Sequence, residues 1–372
     1  MKQSFWEYKS WFSHIDYTII GSGIVGLNCA LRLREKFPNA KILILEKGLL
    51  PQGASTKNAG FACFGSISEI LDDLKTHTED QVVSLVKQRV KGLARLRKIL
   101  GDTAIDYQEH GGYELFANSD IDLYKDCIKQ IFYINSLLYP IFNEDIYSIL
   151  ENSFGFKNIQ PKLIFNDKEG QIDTGKMMKA LLSLVYKKGI DILNSTEVLK
   201  YLEVVDGVEV VTNYNTFKTK KLFIATNGFA SMLGISNVKP ARAQVLITAP
   251  ILDLHIKGTF HLDQGYYYFR NIGNRILLGG GRNLDYVTEE TTEMGETALI
   301  QNELERLLKK VILPHKDVSI AHRWSGIMGV GSQKKPIVKV LSDNIYCGVR
   351  LGGMGVAIGS IVGSDLADLI LE

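Results

Sequence analysis

Gly21, Gly23 and Gly26 follow directly on the β-branched run Asp16 to Ile20, and their G-x-G-x-x-G spacing lets backbone approach a phosphate. The first glycine allows a tight turn, the second brings backbone close to a pyrophosphate, and the third lets a helix pack on the strand. Ile24 and Val25 open an apolar repeat of helical period, whose N-terminus offers free N–H groups and a positive dipole end. Pro38-Asn39 closes that helix, and Lys41 to Leu45 is a second buried strand ending on Glu46-Lys47. Glu46 stands 20 residues past Gly26, where an acid can accept hydrogen bonds from an adenosine ribose. The unit reads as a dinucleotide site. An acid at that position opposes a 2′-phosphate and hence NADP, while NAD and FAD both stay open.

Further stretches have the make-up of ligand-facing backbone. Ser55, Thr56, Asn58, Ala59 and Gly60 form a polar, glycine-ended loop after the second strand. Ala225 ends a buried strand and runs into Thr226-Asn227-Gly228, small polar residues that let a ligand come near. Arg350-Leu351-Gly352-Gly353-Met354-Gly355 opens the last helix and makes a second anion-binding start, far in sequence from the first. In Gln264 to Arg270, alternation puts Tyr266, Tyr268 and Arg270 on one face of a strand.

The elements around these residues follow from pattern. Ser68 to Leu100 and Ile121 to Leu138 read as helices, Tyr113 to Ala117 as a strand, and Lys176 to Lys187 as an apolar helix. Pro240 to Leu313 holds mostly strand-like stretches ending in a charged helix, Glu296 to Lys310, followed by a last strand at Ile345 to Val349 and a last helix from Val356. A chain of 372 residues with 45% hydrophobic and 23% charged content is an ordinary globular enzyme with room for two domains. A net charge of +2 gives no reason to expect nucleic acid. Cys29, Cys63, Cys127 and Cys347 have no C-x-x-C spacing and read as reduced thiols. His110, His255, His261 and His322 show no metal-ligand spacing, so no metal is expected. The N-terminus lacks a secretory pattern, and Tyr17 to Leu33 is too interrupted to span a bilayer; a cytoplasmic protein is expected.

The set GSGIVGL…LEKG…STKNAG, then EGQID…TEV…IATNG, then RWSGI…P…GVRLGGMG resembles the D-amino-acid oxidase superfamily of flavoproteins, in order and over nearly the whole chain. Its members include glycine oxidase, sarcosine oxidase and D-amino-acid dehydrogenase. The resemblance implies an α/β chain, α+β overall: a Rossmann-like FAD-binding domain interleaved with a substrate domain on a large antiparallel sheet. It places residues 1–72, 162–232 and 318–372 in the FAD domain, and 73–161 and 233–317 in the substrate domain. It implies non-covalent FAD, with Gly21, Gly23, Ile24, Val25 and Gly26 at the diphosphate and Glu46-Lys47 at the adenosine ribose. Ser55, Thr56, Asn58, Ala59 and Gly60 would run along the pyrophosphate and isoalloxazine. Val198 would hold the adenine by its backbone, and Thr226, Asn227 and Gly228 would lie by the adenosine. Arg350, Leu351, Gly352, Gly353, Met354 and Gly355 would face the flavin's N1–C2=O edge.

For chemistry the resemblance implies hydride transfer to flavin N5 from the C–H beside nitrogen of a small amine or amino acid, with oxygen or another electron acceptor. Tyr268, Arg270 and Arg323 are the expected substrate residues. Many relatives carry a carboxylate-binding arginine where this chain has Met328, so a clamp must come from Arg323, Arg270, Arg350 or Arg242. A 2-hydroxy-acid dehydrogenase with His261 or His110 as base, and a non-catalytic flavin-binding protein, use the same scaffold.

Overall fold

The computed structural model describes residues 3–370. The β-branched run at the start forms the strand Ile15–Ile20, which pairs in parallel with Ile42–Leu45 on one side and Thr216–Ile224 on the other. Asp191–Leu193 and Ile345–Val349 extend this parallel sheet outward, while Ile337–Ser342 and the hairpin of Val198–Val204 and Gly207–Thr212 add antiparallel strands. The central strands are apolar on both faces, as a sheet covered on both sides requires. On one face the helix Ile24–Lys36 buries Leu27, Ala30 and Leu33 against Ile19 and Ile44, and the last helix, Gly355–Asp368, packs beside it.

A second eight-stranded sheet is antiparallel but for one pair. Its strands run in the order Ile320–Val330, Lys239–Thr248, Arg275–Gly280, Tyr267–Ile272, Thr259–Leu262, Gly112–Glu114, Lys162–Asn166, Tyr147–Glu151. One face carries Phe260, Phe269, Leu278 and Leu246 and is covered by the helix Ala298–Leu307. The other face holds a smaller cluster in which Val245, Leu277, Tyr268 and Trp324 meet Ala59 and Phe61. A two-stranded ribbon, Phe61–Ala62 with Gly170–Gln171, lies next to that cluster.

The two expected layers are both present, and three boundaries differ from the sequence reading. Lys162–Asn166 and Ile320–Val330 fall in the 162–232 and 318–372 segments assigned to the FAD domain, yet both pair in the antiparallel sheet. Alternation marks a strand but not its sheet, and only the long-range partner decides. The strand at Tyr113 is confined to Gly112–Glu114. Tyr266 leaves the face of Tyr268, because the turn at Asp263, Gln264 and Gly265 takes positive φ and the strand starts only at Tyr267. Tyr266 packs on the Phe260 side instead and accepts a hydrogen bond from the Tyr286 hydroxyl at 2.6 Å.

Candidate active site

The parallel strand Ile15–Ile20 ends at Gly21, whose φ of +103° is open to glycine and poor for other residues. A Cβ there would stand 2.9 Å from the Ala225 carbonyl oxygen, so the glycine turn and the second strand end lie in contact. The helix that follows, beginning at Ile24, receives no side-chain cap from Gly23. Its Ile24 N–H donates to Ser55 Oγ at 2.9 Å, which brings the Ser55–Gly60 loop over the helix start. Gly26 packs so closely on Gly21 that a side chain would strike the Gly21 carbonyl.

Glu46 is buried, and its Oε2 accepts from the Ser22 N–H at 3.1 Å and the Ser22 hydroxyl at 2.6 Å. Its Oε1 accepts from the Gly48 N–H at 3.0 Å. The acid is thereby held beside the glycine turn. Lys47 turns outward to an exposed ion pair with Glu197 at 2.7 Å. Val198 begins the strand next in line and is buried. Asn227 Oδ1 accepts from the N–H groups of Arg350 at 3.0 Å and Leu351 at 3.1 Å, so it joins the distant ATNG and RLGGMG stretches. Met354 precedes the last helix without a side-chain cap, and a Cβ on Gly353 would stand 3.9 Å from the Met328 sulfur. Within the loop, Asn58 Oδ1 accepts from Gly60 N–H and the Thr174 hydroxyl, while the Thr56 hydroxyl donates to the Pro51 carbonyl at 2.6 Å. Four stretches separated by up to hundreds of residues thus converge on two helix starts.

The antiparallel sheet meets the same loop from the other side. Trp324 Nε1 donates to the Lys57 carbonyl at 2.9 Å, and Arg270 donates to the carbonyls of Ala59 and Ile172, the latter at 2.8 Å. Burial pulls Arg270 down to about 10, against the nearby charges of Asp173 and Asp106, and it remains a cation at neutral pH. Tyr268 packs edge-on to Phe61 with ring centroids 5.5 Å apart, and Gly279 leaves room for its ring. Burial pushes the Tyr268 phenol up to about 12, so it stays protonated.

This face departs from the sequence expectation in its arginines. Arg323 follows the Leu246 side of its strand rather than the Trp324 side, and it binds Gln301 and, at 2.6 Å, Glu305 on the covering helix. It is therefore turned away from Tyr268, because neighbouring residues of a strand alternate faces. Arg242 pairs with buried Glu289 at 2.8 Å, and Arg350 donates to the carbonyls of Lys335 and Asn237. Each arginine considered for a carboxylate clamp is engaged by the protein itself.

Sequence reasoning missed a buried polar cluster beside this face. Across neighbouring strands Glu114, His261 and Tyr268 stand in register. His261 Nε2 lies 3.3 Å from Glu169 Oε2, and Cys63 joins them, with all three polar atoms within 4.8 Å of one another. Burial lowers the His261 affinity for protons, but the hydrogen bond and charge of Glu169, with Glu69 and Glu114, outweigh it and carry the imidazole up to about 9. Burial also lifts Glu114 to about 7, against hydrogen bonds from Ser68 and Ser66. Glu169 sits inside the EGQID stretch, but a lone acid before a glycine carries no signal that a histidine 92 residues on will meet it.

A family model described as DAO, FAD dependent oxidoreductase, matches residues 16–369. The chain belongs to this FAD-dependent oxidoreductase family. It is 22% identical over 379 residues to a probable oxidoreductase, OrdL, of Haemophilus influenzae, across 96% of this chain and 83% of that protein. Glycine oxidase from Geobacillus kaustophilus superposes with a TM-score of 0.77 at 18% identity, covering 96% of this chain and 95% of that one. L-proline dehydrogenase from P. horikoshii gives 0.74 at 18% identity, over 95% and 92%. This family member is accordingly an FAD-dependent oxidoreductase with a Rossmann-like FAD fold. The residues present fit FAD: the glycine turn excludes side chains, neither Gly23 nor Met354 caps the helix it precedes, and Thr226 Oγ1 is buried with no protein partner. Among the described residues no helix is long and apolar enough to cross a membrane.

Proposed function

We propose that this oxidoreductase oxidises the carbon beside nitrogen of a small amine, one that brings no carboxylate to an arginine at the flavin. The observation that carries this reading is the commitment of Arg242, Arg270, Arg323 and Arg350 to protein partners, together with Met328 beside Gly353. Gly21, Gly23, Ile24, Val25 and Gly26 hold the diphosphate and Glu46 the adenosine ribose, with Val198, Thr226, Asn227 and Gly228 along the adenosine half. Ser55, Thr56, Asn58, Ala59 and Gly60 line the ribityl and ring side, and Gly352 to Gly355 present N–H groups to the ring. Lys47 lies at the rim, since its ammonium is spent on Glu197. When bound without a covalent link, FAD supplies the hydride acceptor of the reaction.

The chain's own part is positioning. Tyr268 lies on the sheet face that meets Ala59 and Phe61, so its ring closes the substrate side and its protonated hydroxyl can donate to a bound molecule. Phe61, Trp324 and Leu277 make that side apolar, which excludes water and favours a neutral amine over its ammonium form. The neutral amine has the lone pair that assists loss of hydride. Arg270 serves the site indirectly, by holding Ala59 and Ile172.

Anaerobic mixing of the holoenzyme with primary, secondary and N-methyl amines, glycine, sarcosine and D-amino acids tests the proposal. Amines should bleach the oxidised-flavin band near ~450 nm at least tenfold faster than the matched α-amino acids. Bleaching by α-amino acids alone would sink the no-carboxylate reading, and bleaching by no amine would sink the amine reading. A 2-hydroxy-acid reading draws on His261 standing one strand from Tyr268. Its Nε2 is taken by Glu169, which leaves that reading second.

A further inference from the structure

The segment Ala59 to Phe64 is gripped at both ends by buried charge. At one end Arg270 donates to the Ala59 carbonyl. At the other, Glu169 Oε1 accepts from the Phe64 N–H at 3.0 Å, and Arg89 donates to the Phe64 carbonyl at 2.6 Å. Between the grips lie Phe61, against Tyr268 and His261, and Cys63, whose sulfur is 4.0 Å from that of Met354. The middle of the segment therefore touches the sheet face on one side and the GGMG turn on the other.

Glu169 is 2% exposed, and a carboxylate so deep needs a counter-charge as well as hydrogen bonds. His261, 5% exposed on the antiparallel sheet, is the group that meets its free oxygen. We propose that the Glu169–His261 pair positions the FAD site, Glu169 bridging the Phe64 N–H and His261 so that the Phe64 end of the segment is locked to the antiparallel sheet. His261 is a positioning residue here and touches neither substrate nor cofactor. The inference rests on the reading of Ser55 to Gly60, whose end opens this segment, as the ribityl and ring side of the FAD site.

The pair works in a crowded electrostatic setting. Glu114 faces His261 across the strand pair, Glu69 reaches it from the helix Ile67–Leu74, and Cys63 and Tyr268 flank it. Tyr147 and Tyr107 feel the Glu169 charge, and Arg89 lies near Cys63. In the folded state the imidazole holds its proton more tightly than when unfolded. The pair's contribution to folding stability is complete below the ordinary histidine range, while the grip in the folded protein holds at neutral pH, and both are lost as pH rises through about 9.

FAD affinity, read by recovery of flavin fluorescence on release, tests this without any substrate. In the wild-type holoenzyme the dissociation constant should be flat from pH 7 to ~8.5 and rise about tenfold or more by pH ~10. His261→Gln should show the weakened affinity already at pH ~7 and lose the pH dependence. His261→Gln/Glu169→Gln removes both charges while keeping an amide acceptor for Phe64 N–H, and should bind FAD more tightly than His261→Gln alone. Wild-type affinity and an unchanged pH profile in His261→Gln, or a double variant that binds FAD no more tightly than His261→Gln alone, overturns the proposal. Should His261→Gln fail to fold, the double variant decides: it folds and binds FAD without pH dependence, or the pair has no such role. Failure of the amine panel would leave this result standing, because no turnover enters it.

Discussion

At the scale of single residues, Gly279 matters through what it lacks. Its position across from Tyr268 places a would-be Cβ 2.6 Å from the tyrosine ring. Gly279→Ala should push that ring toward the substrate side and lower kcat/KM for the best amine by ~10-fold or more while FAD stays bound; steady-state kinetics with a flavin absorbance ratio reads both. Tyr268→Phe removes only the hydroxyl and should cost less, about 1 kcal/mol in transition-state binding if the donor is used. Glu114 makes a pH-dependent case. Its carboxyl is raised to about 7 mainly by burial, so the folded protein holds a proton there that the unfolded chain gives up near ~4.5. Its contribution to stability is present at low pH and lost as pH rises through about 7. Glu114→Gln imitates the protonated form, and its melting temperature relative to wild type should therefore be higher at pH ~8 than at pH ~5. An equal difference at both pH values would show that Glu114 does not titrate in this range.

At the scale of elements, the crossing of the last helix over its neighbours depends on missing side chains. Ser360 donates to the Gly92 carbonyl at 2.5 Å, and a Cβ on Gly92 would run into the Ala357 carbonyl. Gly92→Ala should destabilise the fold by about 1–3 kcal/mol through overpacking, seen as a lower denaturation midpoint with unchanged m-value. These elements were largely legible in the sequence. Helix Ile24–Lys36 and strand Ile42–Leu45 carry strong periodicity and end at clear breakers, so the dinucleotide unit could be read residue by residue. Strand membership was less legible. Ile320–Val330 alternates in a way that suits either sheet, and only pairing with Lys239–Thr248 decides. The arginines were least legible, since Arg323 and Arg242 are neutralised by Glu305 and Glu289, whose partnership no local pattern announces. The His261–Glu169 pair was hidden for the same reason.

At the scale of the molecule, the FAD site draws on both sheets, so ligand and fold should be thermodynamically linked. Adding FAD at 100 times its dissociation constant should raise stability by about 2.7 kcal/mol, and the whole chain should shift as one transition. Calorimetry of apo and holo protein checks this, and a shift confined to part of the transition would show that the two sheets unfold independently. The strand Ile345–Val349 pairs with Thr216–Ile224 inside the parallel sheet, and the last helix then covers the first. During synthesis the glycine turn emerges first, yet the sheet edge at Leu222–Ile224 stays open until Ile345–Val349 has left the ribosome. A nascent chain must therefore wait with its cofactor cradle half-built, the Leu222–Ile224 part of that edge unpaired, until this late strand arrives. Loading of FAD in this sense follows the arrival of that strand, and the interval before it is when chaperones would find the most to hold.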